Sequence, residues 1–306
     1  MVLETGVIAA GIDGSQAAFG AARWAAFDAE RRGVTLRLVH AVVAPLVGGY
    51  PEPSLRAPTV TDKMRERAAR LLHTTTDRLR ADHPGLRIET TQQDGPPVPV
   101  LIDQSRQALA MVVGADGVGR LSGVFFGSVS ARLAEHGHGC IVIARPESVD
   151  AAEEHPGDVV VGVDGSPHSQ AAIGFAYEEA ALRGATLVAI HTWNDKPLRR
   201  GLGSYPLDMD ASGIDQAQHR LLETELAGWE QKYPEVPVQM RILRGRPAPN
   251  LLRYATTNDE RTNGKRRTQL IVVGSRGRGG FTGLLLGSTS QAVMIHADCS
   301  VAVVHS

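Results

Sequence analysis

Short apolar runs alternate with longer amphipathic stretches along the whole chain, and the alternation happens twice. Val7–Ile12, Thr35–Val42, Ile88–Gln92, Ala110–Gly114 and Cys140–Ala144 have the length and branching of strands. Between them, Ser15–Arg32, Thr61–His83, Pro97–Arg106 and Ser128–His136 carry helical spacing. The second round predicts strands at Asp158–Val163, Thr186–Thr192, Val238–Leu243, Gln269–Gly274 and Ser300–Val304. Its helices fall at His168–Arg183, Ile214–Tyr233, Pro247–Ala255 and Thr289–His296. Strands separated by helices pair in parallel through right-handed crossovers, which predicts an α/β fold with a doubly wound sheet in each round. Near-continuous apolar strands such as Met111-Val112-Val113 and Ile271-Val272-Val273 fit a sheet covered on both faces. The Ala-rich first helix (Ala17, Ala18, Ala21, Ala22, Ala25) suits close packing on such a sheet.

The two rounds are copies. Gly11-Ile12-Asp13-Gly14-Ser15 recurs 151 positions later as Gly162-Val163-Asp164-Gly165-Ser166. Arg32-Gly33 recurs as Arg183-Gly184, and His40 as His191, at the same offset. A glycine pattern after the fourth strand recurs at an offset of 160: Gly114, Gly117, Gly127-Ser128-Val129-Ser130, then Gly274, Gly277, Gly287-Ser288-Thr289-Ser290. The added residues fall in the polar stretch Thr256–Gln269, read as a solvated insertion or a partner-binding loop. The acidic, Pro-bearing stretch 146–157 separates the copies, so the predicted organisation is a first domain at 1–145, a linker at 146–157 and a second domain at 158–306.

Composition narrows the function classes. With 306 residues the chain holds two domains of about 150 residues each. Only 5% of residues are aromatic, so the cores must be built from Ala, Val, Leu and Ile. A net charge of −1 offers no basic excess for a nucleic-acid or membrane-surface partner. Two cysteines, Cys140 and Cys299, without CxxC or Cys/His clustering, argue against a disulfide framework and a structural metal, and read as buried small hydrophobes. The first residues lack a basic-then-apolar leader pattern, and the 19 uncharged residues of 279–297 carry four glycines and several hydroxyls, too polar for a span. The expectation is a cytoplasmic protein without membrane insertion.

The repeated motifs converge on one place. In an open α/β sheet, ligands sit beyond the carboxyl ends of the strands where the strand order reverses. If the order is 3-2-1-4-5, the segments after the first and fourth strands flank that crevice. Those segments are Asp13-Gly14-Ser15 with Gly114 to Ser130, and Asp164-Gly165-Ser166 with Gly274 to Ser290. A strand, a glycine loop and a hydroxyl-rich helix start predict a phosphate cradle, with Ser288-Thr289-Ser290 capping the helix and backbone N–H groups facing the anion. Asp13 and Asp164 can accept hydrogen bonds from a sugar or base, help hold Mg²⁺, or serve as helix caps or turn residues. No G-x-x-x-x-G-K-[ST] occurs, neither loop is G-x-G-x-x-G, and no nucleophile–base constellation is visible. His40 and His191 lack a second ligand at metal spacing and read as ordinary strand-end residues. The loops Pro45–Val60 and Asp195–Gly213 are read either as lids or as plain surface loops.

The pattern G-x-x-G, nine residues, G-[ST], together with the opening strand and its Asp-Gly-Ser, resembles the universal stress protein family over the whole chain, in its tandem actinobacterial form. The resemblance implies two tandem five-stranded Rossmann-like sheets of order 3-2-1-4-5, each holding ATP or another adenine nucleotide, with or without Mg²⁺. It assigns the phosphate site to Gly114, Gly117, Gly127, Ser128 and Ser130, and to Gly274, Gly277, Gly287, Ser288 and Ser290. Asp13 and Asp164 match the family's strand-end carboxylate near ribose and adenine, and Ala41 and Thr192 the backbone that meets the adenine edge. Val129, Thr289, Gly14, Ser15, Gly165 and Ser166 belong to the same motifs. The resemblance also implies a homo-oligomer associating through the last strands, Ile141–Ala144 and Val301–Val304, and a regulatory role in stress rather than rapid catalysis. A slow ATPase, a nucleotidyl-transferring enzyme and a nucleotide-free scaffold are the competing readings. The copies differ: Arg276 and Arg278 add charge for a triphosphate in the second, where the first has Asp116. The second site is expected to hold ATP more tightly, or the first to prefer a Mg²⁺-loaded nucleotide.

Overall fold

A computed structural model describes residues 6–43, 58–116, 127–145, 157–193, 211–256, 268–278 and 285–306. Gly117 lies outside the described residues, as do 146–156 of the expected linker, 45–57 and 195–210 of the two long loops and 257–267 of the insertion. The chain divides into two compact units, Met1–Val149 and Asp150–Ser306.

Unit 1 runs β1 (Val7–Gly11), α1 (Gln16–Arg32), β2 (Thr35–Val42), α2 (Pro58–Asp82), β3 (Ile88–Asp94), α3 (Pro97–Ser105), β4 (Ala110–Gly114), α4 (Ser128–His136) and β5 (Cys140–Ala144). Its strands pair in parallel as β3-β2-β1-β4-β5. Unit 2 runs β6 (Asp158–Val163), α5 (Pro167–Arg183), β7 (Leu187–Trp193), α6 (Ala211–Lys232), β8 (Val238–Arg244), α7 (Pro247–Thr256), β9 (Thr268–Gly274), α8 (Ser288–His296) and β10 (Ser300–Val304). It pairs in parallel as β8-β7-β6-β9-β10, the same order by position. The doubly wound α/β fold with order 3-2-1-4-5 therefore stands in both copies, and each expected element is present within a few residues of its expected bounds.

Why these residues make these elements is plain in the burial. β4 and β5 are buried at every residue, as continuous apolar strands covered on both faces should be, whereas no residue of the edge strand β3 is fully buried. The Ala face of α1 (Ala18, Ala21, Ala22, Ala25) is buried against the sheet, its small side chains letting the helix axis come close. The Arg-Gly repeat ends the first helix of each unit: Gly33 and Gly184 accept the left-handed cap at φ 67° and 58°.

That close approach reaches the strand end where ligands would sit. A Cβ on Gly114 would stand 2.6 Å from the backbone carbon of Ala17, and one on Gly274 2.8 Å from that of His168. The first glycine of each signature is thus demanded by helix packing, quite apart from any anion.

Candidate functional site

Each unit has a cleft beyond the carboxyl ends of its first and fourth strands. Cleft 1 has a volume of about 240 Å³ and cleft 2 about 460 Å³. Asp13, Ala41, Gly114, Gly127, Ser128, Val129 and Ser130 line the first. Asp164, Thr192, Gly274, Arg276, Gly277, Arg278, Gly287, Ser288, Thr289 and Ser290 line the second. Gly14, Ser15, Gly165 and Ser166 are not among the lining residues.

Those four build the turn beneath. Gly14 and Gly165 take φ of 90° and 73°, which turns the chain from strand into helix. The helix caps are the serines: Ser15 Oγ accepts the Ala18 N–H at 3.1 Å and Ser166 Oγ accepts the Ser169 N–H at 3.2 Å. The aspartates are therefore not the caps. Asp13 Oδ1 accepts the Ser15 N–H at 2.8 Å and Asp164 Oδ1 the Ser166 N–H at 3.0 Å, a turn that holds each carboxylate at the cleft. Asp164 Oδ2 also accepts the Arg278 N–H at 3.0 Å, which staples the glycine loop of unit 2 onto the β6–α5 turn. The Arg278 guanidinium reinforces the staple by donating to the Gly165 carbonyl at 3.3 Å.

At the far side the hydroxyl cap expected at Ser288-Thr289-Ser290 is corrected. The N-cap positions are Gly127 and Gly287, extended at φ −72°, and neither helix has a side-chain cap. Ser128 and Ser288 already have helical geometry, so their hydroxyls cannot take the cap role. Ser130 and Ser290, each 3% exposed, donate instead to the Gly114 and Gly274 carbonyls at 2.7 and 2.6 Å, pinning helix start to strand end. The Gly127 and Gly287 N–H groups are also taken, by the carbonyls of Ala115 and Ser275 at 2.8 and 2.7 Å. The helical ladder begins with Ala131 N–H to Gly127 and Gln291 N–H to Gly287. The N–H groups of residues 128–130 and 288–290 precede it and have no helical acceptor. With the positive end of the helix dipole behind them, they form a donor edge of a kind that suits an anion in each cleft.

Sequence reasoning missed the opposite wall. Pro97, Leu101 and Val39 line cleft 1, and Pro247, Leu251 and Ile190 line cleft 2. A signal existed: Gly95-x-Pro97-x-Pro99-x-Leu101 recurs as Gly245-x-Pro247-x-Pro249-x-Leu251. The repeat places an apolar wall opposite the polar donor edge in each cleft.

Electrostatics separate the clefts. The charged groups on the described lining of cleft 1 are Asp13 and Asp116, and on that of cleft 2 Asp164, Arg276 and Arg278. Beside Arg276, burial first and the guanidinium second hold the His168 imidazole below its ordinary range, against a smaller opposing pull from Asp164. Among the described residues there is no group of three His, Cys, Asp or Glu that could hold a metal ion. No helix among them is long and apolar enough to cross a membrane.

Fold and site together define a tandem α/β protein with a donor-lined edge and an apolar wall at the mouth of each sheet. The sequence model of the universal stress protein family matches residues 5–145 and 157–305, and the chain belongs to that family. A universal stress protein of Mycobacterium tuberculosis is 38% identical over 293 residues, covering 94% of this chain and 92% of its own. One of Mycolicibacterium smegmatis is 36% identical over 305 residues, covering 98% and 97%. Among solved structures, a universal stress protein of Archaeoglobus fulgidus superposes with a TM-score of 0.67 at 21% identity, over 98% of this chain and 96% of that one.

Proposed function

We propose that the protein binds an adenine nucleotide in each cleft, ATP foremost, and acts as a stress-response regulator whose conformation or association depends on that occupancy. One observation carries the reading. In both units the first three N–H groups of a helix lie outside the helical ladder and line a cleft whose other wall is apolar. A phosphate chain fits the first edge and a base the second. Asp13 and Asp164 would receive the ribose. The described walls hold a single pair of carboxylates in cleft 1, so any Mg²⁺ is read as arriving with the nucleotide.

Denaturing freshly purified protein and weighing the released small molecules by mass spectrometry tests occupancy directly. Adenine nucleotide in the supernatant is expected; empty protein that also fails to bind ATP at millimolar levels would sink the reading. Regulation rather than fast chemistry is tested by single-turnover assay, where hydrolysis at or above roughly one per second would make the protein an enzyme. Light scattering with and without ATP tests whether association responds to the ligand.

A further inference from the structure

The glycine loop of unit 2 is pinned at both ends, and Arg276 stands between the pins. At one end the Ser275 N–H donates to the Val304 carbonyl at 2.8 Å, and the Ser275 carbonyl accepts the Gly287 N–H at 2.7 Å. Ser275 is fully buried. At the other end the Arg278 N–H donates to Asp164 Oδ2, and the Gly277 backbone packs so closely on that oxygen that a Cβ there would overlap it. Only Arg276 and Gly277 lie between the pinned positions, so the backbone that carries the Arg276 guanidinium has little freedom.

The post to which the loop is tied is itself held in place. Asp164 Oδ1 accepts the Ser166 N–H, and the Asp164 N–H donates to Oγ of Ser169, a residue 2% exposed. The corresponding residue of unit 1 is Ala18, whose side chain cannot make that bond. Cleft 1 also has Asp116 in place of Arg276, so no guanidinium stands there to be aimed.

We propose that Asp164 is a positioning residue of cleft 2. By tying down the glycine loop it sets the Arg276 guanidinium for the outer phosphates of a triphosphate, and so gives the cleft a preference for tri- over monophosphates. The charge of Asp164 works against any anion in the cleft, whereas its hydrogen bond to the loop works for a triphosphate, and the second effect is the larger. A carboxylate has lone pairs to spare beyond these two bonds, so a ribose hydroxyl can share it. The proposal rests on the reading that a nucleotide occupies the cleft.

The test titrates ATP, AMP and tripolyphosphate into protein carrying Ser128→Glu, which blocks the donor edge of cleft 1 and leaves cleft 2. Asp164→Asn keeps an acceptor for the Ser166 N–H but turns an amide donor toward the Arg278 N–H, so the staple opens while a negative charge is removed. Charge alone would tighten the binding of every anion. Loss of the staple is expected instead to weaken ATP and tripolyphosphate roughly 5- to 10-fold and AMP much less, the scale of one charge-assisted hydrogen bond. Gly277→Ala, whose Cβ drives the carboxylate off the loop with no change of charge, should act in the same direction. In protein already carrying Arg276→Ala, neither substitution should add more than about 2-fold, because the staple acts through that side chain. An unchanged ATP-to-AMP ratio in Asp164→Asn, tripolyphosphate held at least as tightly as before, or full additivity with Arg276→Ala each overturns the positioning role and leaves nucleotide binding standing. Failure of the unsubstituted protein to bind ATP overturns the nucleotide reading itself.

Discussion

Cleft 1 and cleft 2 are walled by the same elements in the same order, yet their chemistry diverges at a few residues. Where unit 2 places Arg276 after its first signature glycine, unit 1 places Asp116. Where unit 2 sets Gln218 Oε1 2.8 Å from Nε2 of its strand-end histidine, unit 1 has Ala68 at the corresponding position. Cleft 2 is the larger, about 460 against 240 Å³, and its glycine loop is stapled to the neighbouring turn through Asp164 and Arg278. Backbone donors are common to both clefts and supply what any phosphate needs. Side chains around them set the sign of the field and which end of a ligand is read. A duplicated fold can thus keep one cleft geometry while its copies drift apart in charge.

The largest test of this comparison puts a carboxylate at each anion edge. Ser128→Glu and Ser288→Glu each place a negative charge at an exposed first helical position, where it favours the helix but repels phosphate. Each should weaken nucleotide binding at its own cleft by roughly 100-fold or more, the scale of two charges about 4 Å apart in a partly screened site. Calorimetric titration checks the affinity, and a thermal melt should show little loss of stability. Equal residual binding in both variants would erase the distinction between the clefts.

Next in size is a stability contrast within the signature. Gly274→Ala forces a Cβ against the backbone of His168 and should cost about 2–4 kcal/mol by denaturant titration, with Gly114→Ala behaving alike. Gly287→Ala, with an ordinary φ and its nearest neighbour at 3.4 Å, should cost less than about 1 kcal/mol. A reversed order would mean that the first glycines are not packing residues.

Swapping charge sharpens the electrostatic half. Arg276→Ala should lower ATP affinity at cleft 2 about 10-fold, and AMP affinity less, because a charge-assisted hydrogen bond to an anion is lost. The difference should shrink at high salt. Asp116→Arg should move cleft 1 the other way; no gain there would show that the loops differ in more than charge.

The smallest expected effect is a pH dependence confined to unit 2. His168 is held below its ordinary pKa in the folded chain, so the unfolded chain binds the extra proton more readily. Its contribution to stability is then present at neutral pH and above, and is lost as pH falls from the ordinary imidazole value through the depressed one. Denaturation followed across that range should show a slope that His168→Gln removes. The corresponding position in unit 1 is Ala17, which cannot supply such a slope.

Most of the architecture was legible because it rests on local and periodic features. Apolar runs such as Met111-Val112-Val113 mark strands buried on both faces, and the Arg-Gly stops at 32–33 and 183–184 mark helix ends. The convergence of Asp13 with Gly127–Ser130 was likewise readable, since a parallel sheet brings the ends of its first and fourth strands together. The roles within the motif were less so. Ser130 and Ser290 stand in it like phosphate ligands, and Gly114 like a glycine clearing space for an anion, yet each has a packing duty that depends on a residue far away in the chain. The apolar wall from α3 and α7 went unread because Pro97 and Leu101 gain meaning only when the helix folds over the strand ends.

What the residues decide by themselves is the duplication, the order of strands and helices, and the presence of a glycine–hydroxyl loop after each fourth strand. These follow from side-chain periodicity and backbone propensity, which act over a few neighbours. Tertiary structure alone decides which carbonyls and carboxylates meet the glycine loop, which hydroxyls are spent on carbonyls, and that Gln218 meets His191. Those outcomes depend on hydrogen bonds and contacts between segments tens to more than a hundred positions apart, and only the packed sheet brings such partners within reach.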